Sequence, residues 1–216
     1  AMLVPVQYQR ILAHPDFDKY DLRSFKAKLS TSAPLRAHTK ADAVKRWPGR
    51  LIEIYGLTEG GGSCILEANL HPTKLHTVGL PGFGVELRIL DEQGRELPRG
   101  EVGEIAGRAE MMMKGYYKQD DKTRELFWHD KEGRLFFKSG DMGKLDEDGF
   151  LILLDRKKDM IISGGFNVYA ADIEVLMLKH PDLIDVAVIG VPSDQWGESP
   201  MALCVRRDDA TVSEED

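Results

Sequence analysis

The chain has 216 residues, 42% of them hydrophobic and 30% charged, with 29 Lys and Arg against 36 Asp and Glu and a formal net charge of −7. That balance excludes a disordered or fibrous chain, and the acidity argues against a nucleic-acid binder held by phosphate contacts. The length allows one large domain, or one domain and part of another. The densest apolar run, Phe150 to Leu154, has strand length, well short of the roughly 18–20 residues that span a bilayer. The N-terminus lacks the basic stretch and long apolar run of a secretory signal. Cys64 and Cys204 lie far apart, which predicts neither a metal cluster nor a disulfide framework and points to a reducing, cytoplasmic setting.

In chain order, Leu35, Ala41, Val44 and Trp47 have helical spacing, and Pro48-Gly49 would end a helix over 35–47. Leu51 to Tyr55 reads as a strand broken by Gly56. Val85 to Leu90 alternates apolar and charged residues, the pattern of a half-buried strand. Three turns share one design: Asp91 to Gly94, Asp130 to Gly133 and Asp146 to Gly149. In each, Asp caps the turn and Gly supplies a positive φ, so each is expected to join two antiparallel strands. The last lacks the other ligands of a calcium loop. The charged stretch Asp155 to Asp159 reads as an inter-domain joint. Beyond it, an amphipathic helix is expected over 171–180, with Ile173, Leu176 and Met177 on one face. Strands are expected from Ile184 to Gly190 and from Ala202 to Val205, and Ser213 to Asp216 reads as the start of a helix.

Four segments could carry chemistry. In Tyr55-Gly56-Leu57-Thr58-Glu59 and the glycines after it, a strand end offers N–H groups, a hydroxyl and a carboxylate together. Thr58 could donate to a phosphate, Glu59 could hold Mg²⁺, and Tyr55 could stack on a base. Asp141, after Lys138-Ser139-Gly140, could accept both hydroxyls of a ribose. Arg156 could bind ribose or phosphate oxygens bidentately, and Gly164-Gly165 would let a ligand pass close to the backbone. Ser32-Ala33-Pro34 could let a flat ring lie on the backbone. Taken singly, each segment also fits ordinary turn and linker punctuation.

In this order the segments, with Gly103-Glu104-Ile105 and Met113 to Tyr117, closely resemble the adenylate-forming (AMP-binding) superfamily, and within it the fatty-acyl-CoA ligases. The resemblance runs from about Leu3 to Asp216. It implies a fold class of α/β plus antiparallel β. Residues 1–157 would be the C-terminal portion of the large ATP- and acyl-binding domain. Residues 158–216 would begin the small, mobile α+β C-terminal domain.

By the same resemblance, Ser32, Ala33 and Pro34 lie along adenine, Tyr55 packs on its ring, and Gly56 belongs to the same nucleotide-binding turn. Thr58 contacts phosphate and Glu59 magnesium. Asp141 binds the ribose, supported by Arg156. Lys158 falls at the hinge. Gly164, Gly165 and Phe166 border the pantetheine tunnel, while Gly60 and Gly61 line part of the acyl pocket. The substrates implied are ATP, CoA and a medium or long fatty acid, with an aryl or amino acid as the alternative within the superfamily and a non-catalytic nucleotide-binding module outside it. Peripheral membrane contact is left open. The family's phosphate loop does not precede Leu3, and the chain stops before the family's C-terminal lysine. Glu53 stands where Asn or Gln is frequent, and Ala170 where Pro is frequent. The chain is therefore expected to be a piece of a ligase, unable to form acyl-AMP alone and prone to self-association.

Overall fold

The computed structural model describes residues 1–208 and 210. The chain opens with strands alternating with helices: β1 (Met2–Leu3), α1 (Pro5–Leu12), β2 (Ala27–Ser30), α2 (Ala37–Arg46) and β3 (Arg50–Gly56). β1 pairs with β2, and β2 with β3, in parallel. β4 (Ser63–Glu67) and β5 (Leu80–Pro81) complete this sheet antiparallel, in the order β1-β2-β3-β4-β5. Tyr8, Leu12, Phe17, Leu35, Ala43, Trp47 and Leu51 form the core between helices and sheet. Its centre is Trp47, ringed by Tyr8, Phe17 and Phe25.

The helix expected from Leu35 begins at Ala37. Leu35 stays outside because it is buried in the core and its N–H is committed to Glu53 Oε1 at 2.8 Å. At the other end, the buried Lys28 ammonium donates to the carbonyls of Trp47, Pro48 and Gly49 at 2.8, 2.9 and 2.6 Å. It thus holds the chain just past the carbonyl end of α2, where positive charge is favoured.

A second sheet follows, built from β6 (Glu86–Leu90), β7 (Gly103–Arg108), β8 (Phe127–His129), β9 (Leu135–Leu145) and β10 (Leu151–Arg156), with α3 (Asp120–Leu126) ahead of β8. Its order is β10-β9-β7-β6, and β8 pairs with β9. Leu87, Ile89, Ile105 and Leu151 of this sheet pack with Val78 and with Cys64 of β4 in one core. The turn from Asp130 joins β8 to β9 and that from Asp146 joins β9 to β10, each Asp accepting two backbone N–H bonds. The turn from Asp91 is capped in the same way. It leads not to a strand but to a single bridge, Leu90 with Glu96. Pro98 follows at once and removes a donor, which ends the pairing.

Contacts divide the chain into two units, Ala1–Ser139 with Gly143–Leu153, and Gly140–Met142 with Leu154 onward. In the second unit a 3-10 turn (Lys157–Asp159) precedes β11 (Ile161–Ser163), β12 (Phe166–Val168), α4 (Ala170–Met177), β13 (Leu183–Ser193) and β14 (Gly197–Arg206). The sheet order is β12-β11-β14-β13. Ile173 and Met177 pack on Ile161, Val186 and Val188 as their spacing predicts. Leu176 does not share that face; it is 65% exposed. β13 and β14 are longer than their apolar runs suggested, because pairing continues to Ser193 and Gly197 beside the turn. The helix start read at Ser213 to Asp216 lies outside the described residues. Among the described residues no helix is long and apolar enough to cross a membrane.

Candidate active site

Two of the four segments leave the first sheet at the same end of its strands. β2 and β3 run parallel with Ser30 opposite Glu53, so the loop after Ser30 and the loop after Gly56 emerge at the same, carboxyl end of the strands. That end is where open α/β sheets receive ligands. The first loop carries Ser32, Ala33 and Pro34, all exposed. Ser32 has φ +77°, a left-handed conformation that costs a non-glycine residue about 1 kcal/mol. The second loop carries Thr58, exposed, and Glu59, half-buried. Tyr55, near the end of β3, packs its partly buried ring against the core that contains Cys64, Leu87 and Ile105.

Glu59 is fixed at two points. Its carboxylate accepts the Tyr116 hydroxyl at 2.6 Å, and its backbone carbonyl accepts Met113 N–H at 2.8 Å. The carboxylate beside it, and to a lesser degree burial, push the Tyr116 hydroxyl above its ordinary pKa, so it remains a donor. Gly61 is needed for packing. A Cβ there would lie 2.4 Å from Phe137 Cβ, and Gly61 is buried, so it lies beneath the loop surface.

Behind these loops lies an ion pair that sequence reading did not find. Lys40 on α2 and Glu53 on β3 are each 2% exposed and face each other directly. Lys40 Nζ also donates to Thr77 O at 2.8 Å, and Glu53 Oε1 accepts Leu35 N–H. Burial, acting against the pairing, pushes the Glu53 carboxyl up and the Lys40 ammonium down from their usual values. The sequence signal was a charged residue on the buried face of a strand, opposite a Lys on the adjoining helix.

The second unit brings together Asp141 and Arg156. Arg156 Nε lies 2.8 Å from Asp141 Oδ1. Asp141 is buried while Arg156 is exposed, so the pair sets a buried carboxylate behind a solvent-facing guanidinium. Lys158 is exposed on the 3-10 turn. Gly164 and Gly165, at φ +57° and +84°, make the tight turn between β11 and β12, with Phe166 exposed after it. Gly164 N–H donates to Trp196 O at 2.8 Å, and a Cβ on Gly164 would meet the Trp196 ring at 2.8 Å. Trp196 was not among the residues picked from sequence. It stands next to Gly197 in a charged turn, with nothing in its spacing to mark it.

The donor set bears on magnesium. Among the described residues no group of three His, Cys, Asp or Glu could cage a metal. A single half-buried carboxylate, held at one oxygen by Tyr116, suits Mg²⁺ nonetheless. That ion keeps several waters and takes one or two protein carboxylates together with substrate phosphates.

Comparison with known proteins gives the family. Residues 1–117 match the model of the AMP-binding enzyme family, and residues 172–216 match that of the AMP-binding enzyme C-terminal domain. The chain belongs to the AMP-binding enzyme family. A feruloyl-CoA synthase of an Amycolatopsis species is 36% identical over 213 residues, covering 97% of this chain and 42% of that protein. A long-chain-fatty-acid–CoA ligase of Bacillus subtilis is 36% identical over 215 residues, covering 98% of this chain and 37% of that protein. The structure of ATP-bound MatB from Rhodopseudomonas palustris superposes with a TM-score of 0.86 at 35% identity, covering 98% of this chain and 41% of that one. The chain therefore spans about two-fifths of the length of these relatives. The fold class expected from sequence, α/β with antiparallel β, is the one observed.

Proposed function

We propose that the protein carrying this chain is an AMP-forming acid–thiol ligase. It would activate a medium or long-chain fatty acid with ATP and transfer the acyl group to CoA. The observation that carries this is the shared carboxyl end of β2 and β3, where the Ser32–Pro34 loop and the Tyr55–Glu59 loop emerge side by side from parallel strands. Residues 1–157 would form part of the large domain and residues 158–216 the start of the small, mobile one, with Lys158 at the hinge.

The reaction would run in two steps. First, an oxygen of the acid attacks the α-phosphorus of ATP. An O–P bond forms, pyrophosphate leaves, and acyl-AMP remains. Then the CoA sulfur attacks the acyl carbon, a C–S bond forms, and AMP leaves. Ser32 to Pro34 would lie along the adenine, with Tyr55 and Gly56 beside it. The Thr58 hydroxyl would donate to a phosphate oxygen, and Asp141, held by Arg156, would accept the ribose hydroxyls. Glu59 would hold magnesium, which when bound offsets phosphate charge. Gly164, Gly165 and Phe166 would border the path of the pantetheine arm. Oriented donors of this kind act best when placed before charge develops.

In this reading no nucleic acid takes part, the setting is cytoplasmic, and the 216-residue chain alone gives no acyl-AMP. A second reading, an aryl acid as substrate, draws on the 36% identity to feruloyl-CoA synthase. The test is to incubate the whole protein with ATP, Mg²⁺, CoA and a panel of fatty and aryl acids, and to follow AMP and thioester by chromatography. Equal amounts of AMP and acyl-CoA, fastest with a fatty acid, are expected. Faster turnover of an aryl acid selects the second reading. Failure to form AMP with any acid removes both.

A further inference from the structure

Tyr116 is remote in sequence from Glu59, yet three observations tie it to that carboxylate. The first is the 2.6 Å bond from its hydroxyl to Glu59 Oε1. The second is a parallel backbone tie, Met113 N–H to Glu59 O at 2.8 Å, which docks the 111–117 segment on the 57–60 loop. The third is the way Tyr116 itself is held. Its N–H donates to Thr123 Oγ1 at 2.9 Å, that hydroxyl donates in turn to Gln119 O at 2.8 Å, and the Lys122 ammonium lies 5.2 Å from the Tyr116 ring centroid. The phenol is therefore aimed by its own segment and by α3, not by chance contact.

An aspect of the carboxylate's chemistry follows. A Glu side chain on an exposed loop samples several rotamers, and ordering it on binding costs free energy. A hydrogen bond to one oxygen restricts the rotamers of the carboxylate and so the place of the other oxygen. We infer that Tyr116 is a positioning residue: its hydroxyl holds one oxygen of Glu59 so that the other is already oriented for the magnesium of the bound nucleotide. This rests on the reading that Glu59 serves that ion.

The test uses the whole protein and four forms: unchanged, Tyr116→Phe, Glu59→Gln and the double variant. Two quantities are read. One is the free Mg²⁺ needed for half-maximal ATP–pyrophosphate exchange. The other is the affinity for Mn²⁺ in the presence of ATP, followed by electron spin resonance, which needs no turnover. Tyr116→Phe should raise the Mg²⁺ requirement and weaken Mn²⁺ binding by about tenfold, the usual worth of a hydrogen bond to a charged group, with no change in unfolding midpoint. In the Glu59→Gln background it should add nothing to the loss of Mn²⁺ binding.

An unchanged metal dependence in Tyr116→Phe, or an equal further loss on top of Glu59→Gln, overturns the inference while leaving Glu59 in its role. Loss of folding in Tyr116→Phe overturns it too, since the hydroxyl would then be structural. If Glu59→Gln itself leaves Mn²⁺ binding intact, the role of Glu59 fails, and the inference with it.

Discussion

Ser30 and Glu53 stand opposite each other on the parallel strands β2 and β3, and the Glu53 carboxylate also takes the N–H of Leu35. The 31–34 loop therefore leaves the sheet at Ser30 and is tied back beside its own point of departure. A short loop pinned at both ends can hold Ser32 at φ +77°, a conformation a free loop would relax. The buried Lys40–Glu53 pair maintains this geometry as well as the helix–strand packing.

Lys40→Met should accordingly be severe. It leaves the Glu53 carboxylate buried without its cation, and breaking such a pair costs about 3–5 kcal/mol. The double change Lys40→Met with Glu53→Leu should recover much of that stability, because apolar side chains replace both charges. It should not recover the loop, since Leu35 N–H loses its acceptor. Urea denaturation gives the first result, and amide exchange at Leu35 the second.

Gly61→Ala should destabilise the first unit. The added methyl would sit 2.4 Å from Phe137 Cβ, backed by a β-strand that cannot shift freely, and overpacking of this kind costs about 1–3 kcal/mol. Gly133→Ala is the contrast. A methyl there meets nothing within 4 Å, so only its positive φ counts against it, at about 1–2 kcal/mol. Comparing the two unfolding midpoints separates close packing from backbone strain.

Asp141 and Arg156 should differ in their effects on nucleotide use. Arg156 is half-exposed beside a buried Asp141, and a screened pair of this kind contributes about 0–1 kcal/mol to stability. Arg156→Ala should therefore leave the unfolding midpoint nearly unchanged and raise KM for ATP a few-fold. Asp141→Ala should raise it by about 10–100-fold, the loss of one to two charge-assisted hydrogen bonds. Steady-state kinetics on the whole protein at saturating acid distinguishes them.

The 216-residue chain on its own should self-associate. Leu203 and Val205 on β14 are 52% and 54% exposed, and Ile189 and Met201 on the paired strands are 42% and 41% exposed. Ile189 and Met201 are register partners, so their side chains lie together on one face. Sedimentation at rising concentration should show growing mass, and a constant monomer mass would contradict this.

Much of this was legible in the sequence where periodicity or turn chemistry is local. The α2 pattern, the strand ahead of Gly56 and the capped turns at Asp130 and Asp146 were each set by residues within a few positions. The turn at Asp91 had the same local chemistry, but Pro98 downstream denied it a partner strand. Leu176 has the spacing to share a face with Ile173 and Met177, but that core meets α4 at 173 and 177 and leaves 176 exposed, and which side of a helical stripe the sheet covers is set by tertiary packing, not by spacing. Lys40–Glu53 and Tyr116–Glu59 are pairs of distant residues, and no spacing rule reaches them. The site residues came as an ordered set of motifs. Each was weak alone, because Gly, Asp and Arg serve turns as readily as ligands.

The most direct test of the account is acid-dependent ATP–pyrophosphate exchange by the whole protein in the absence of CoA. The account predicts that label from pyrophosphate enters ATP only when a carboxylic acid is present, and that Glu59→Gln reduces it strongly. Label entering ATP without any acid, or none entering with the full panel of fatty and aryl acids despite measurable ATP binding, would contradict acyl-adenylate formation at this site.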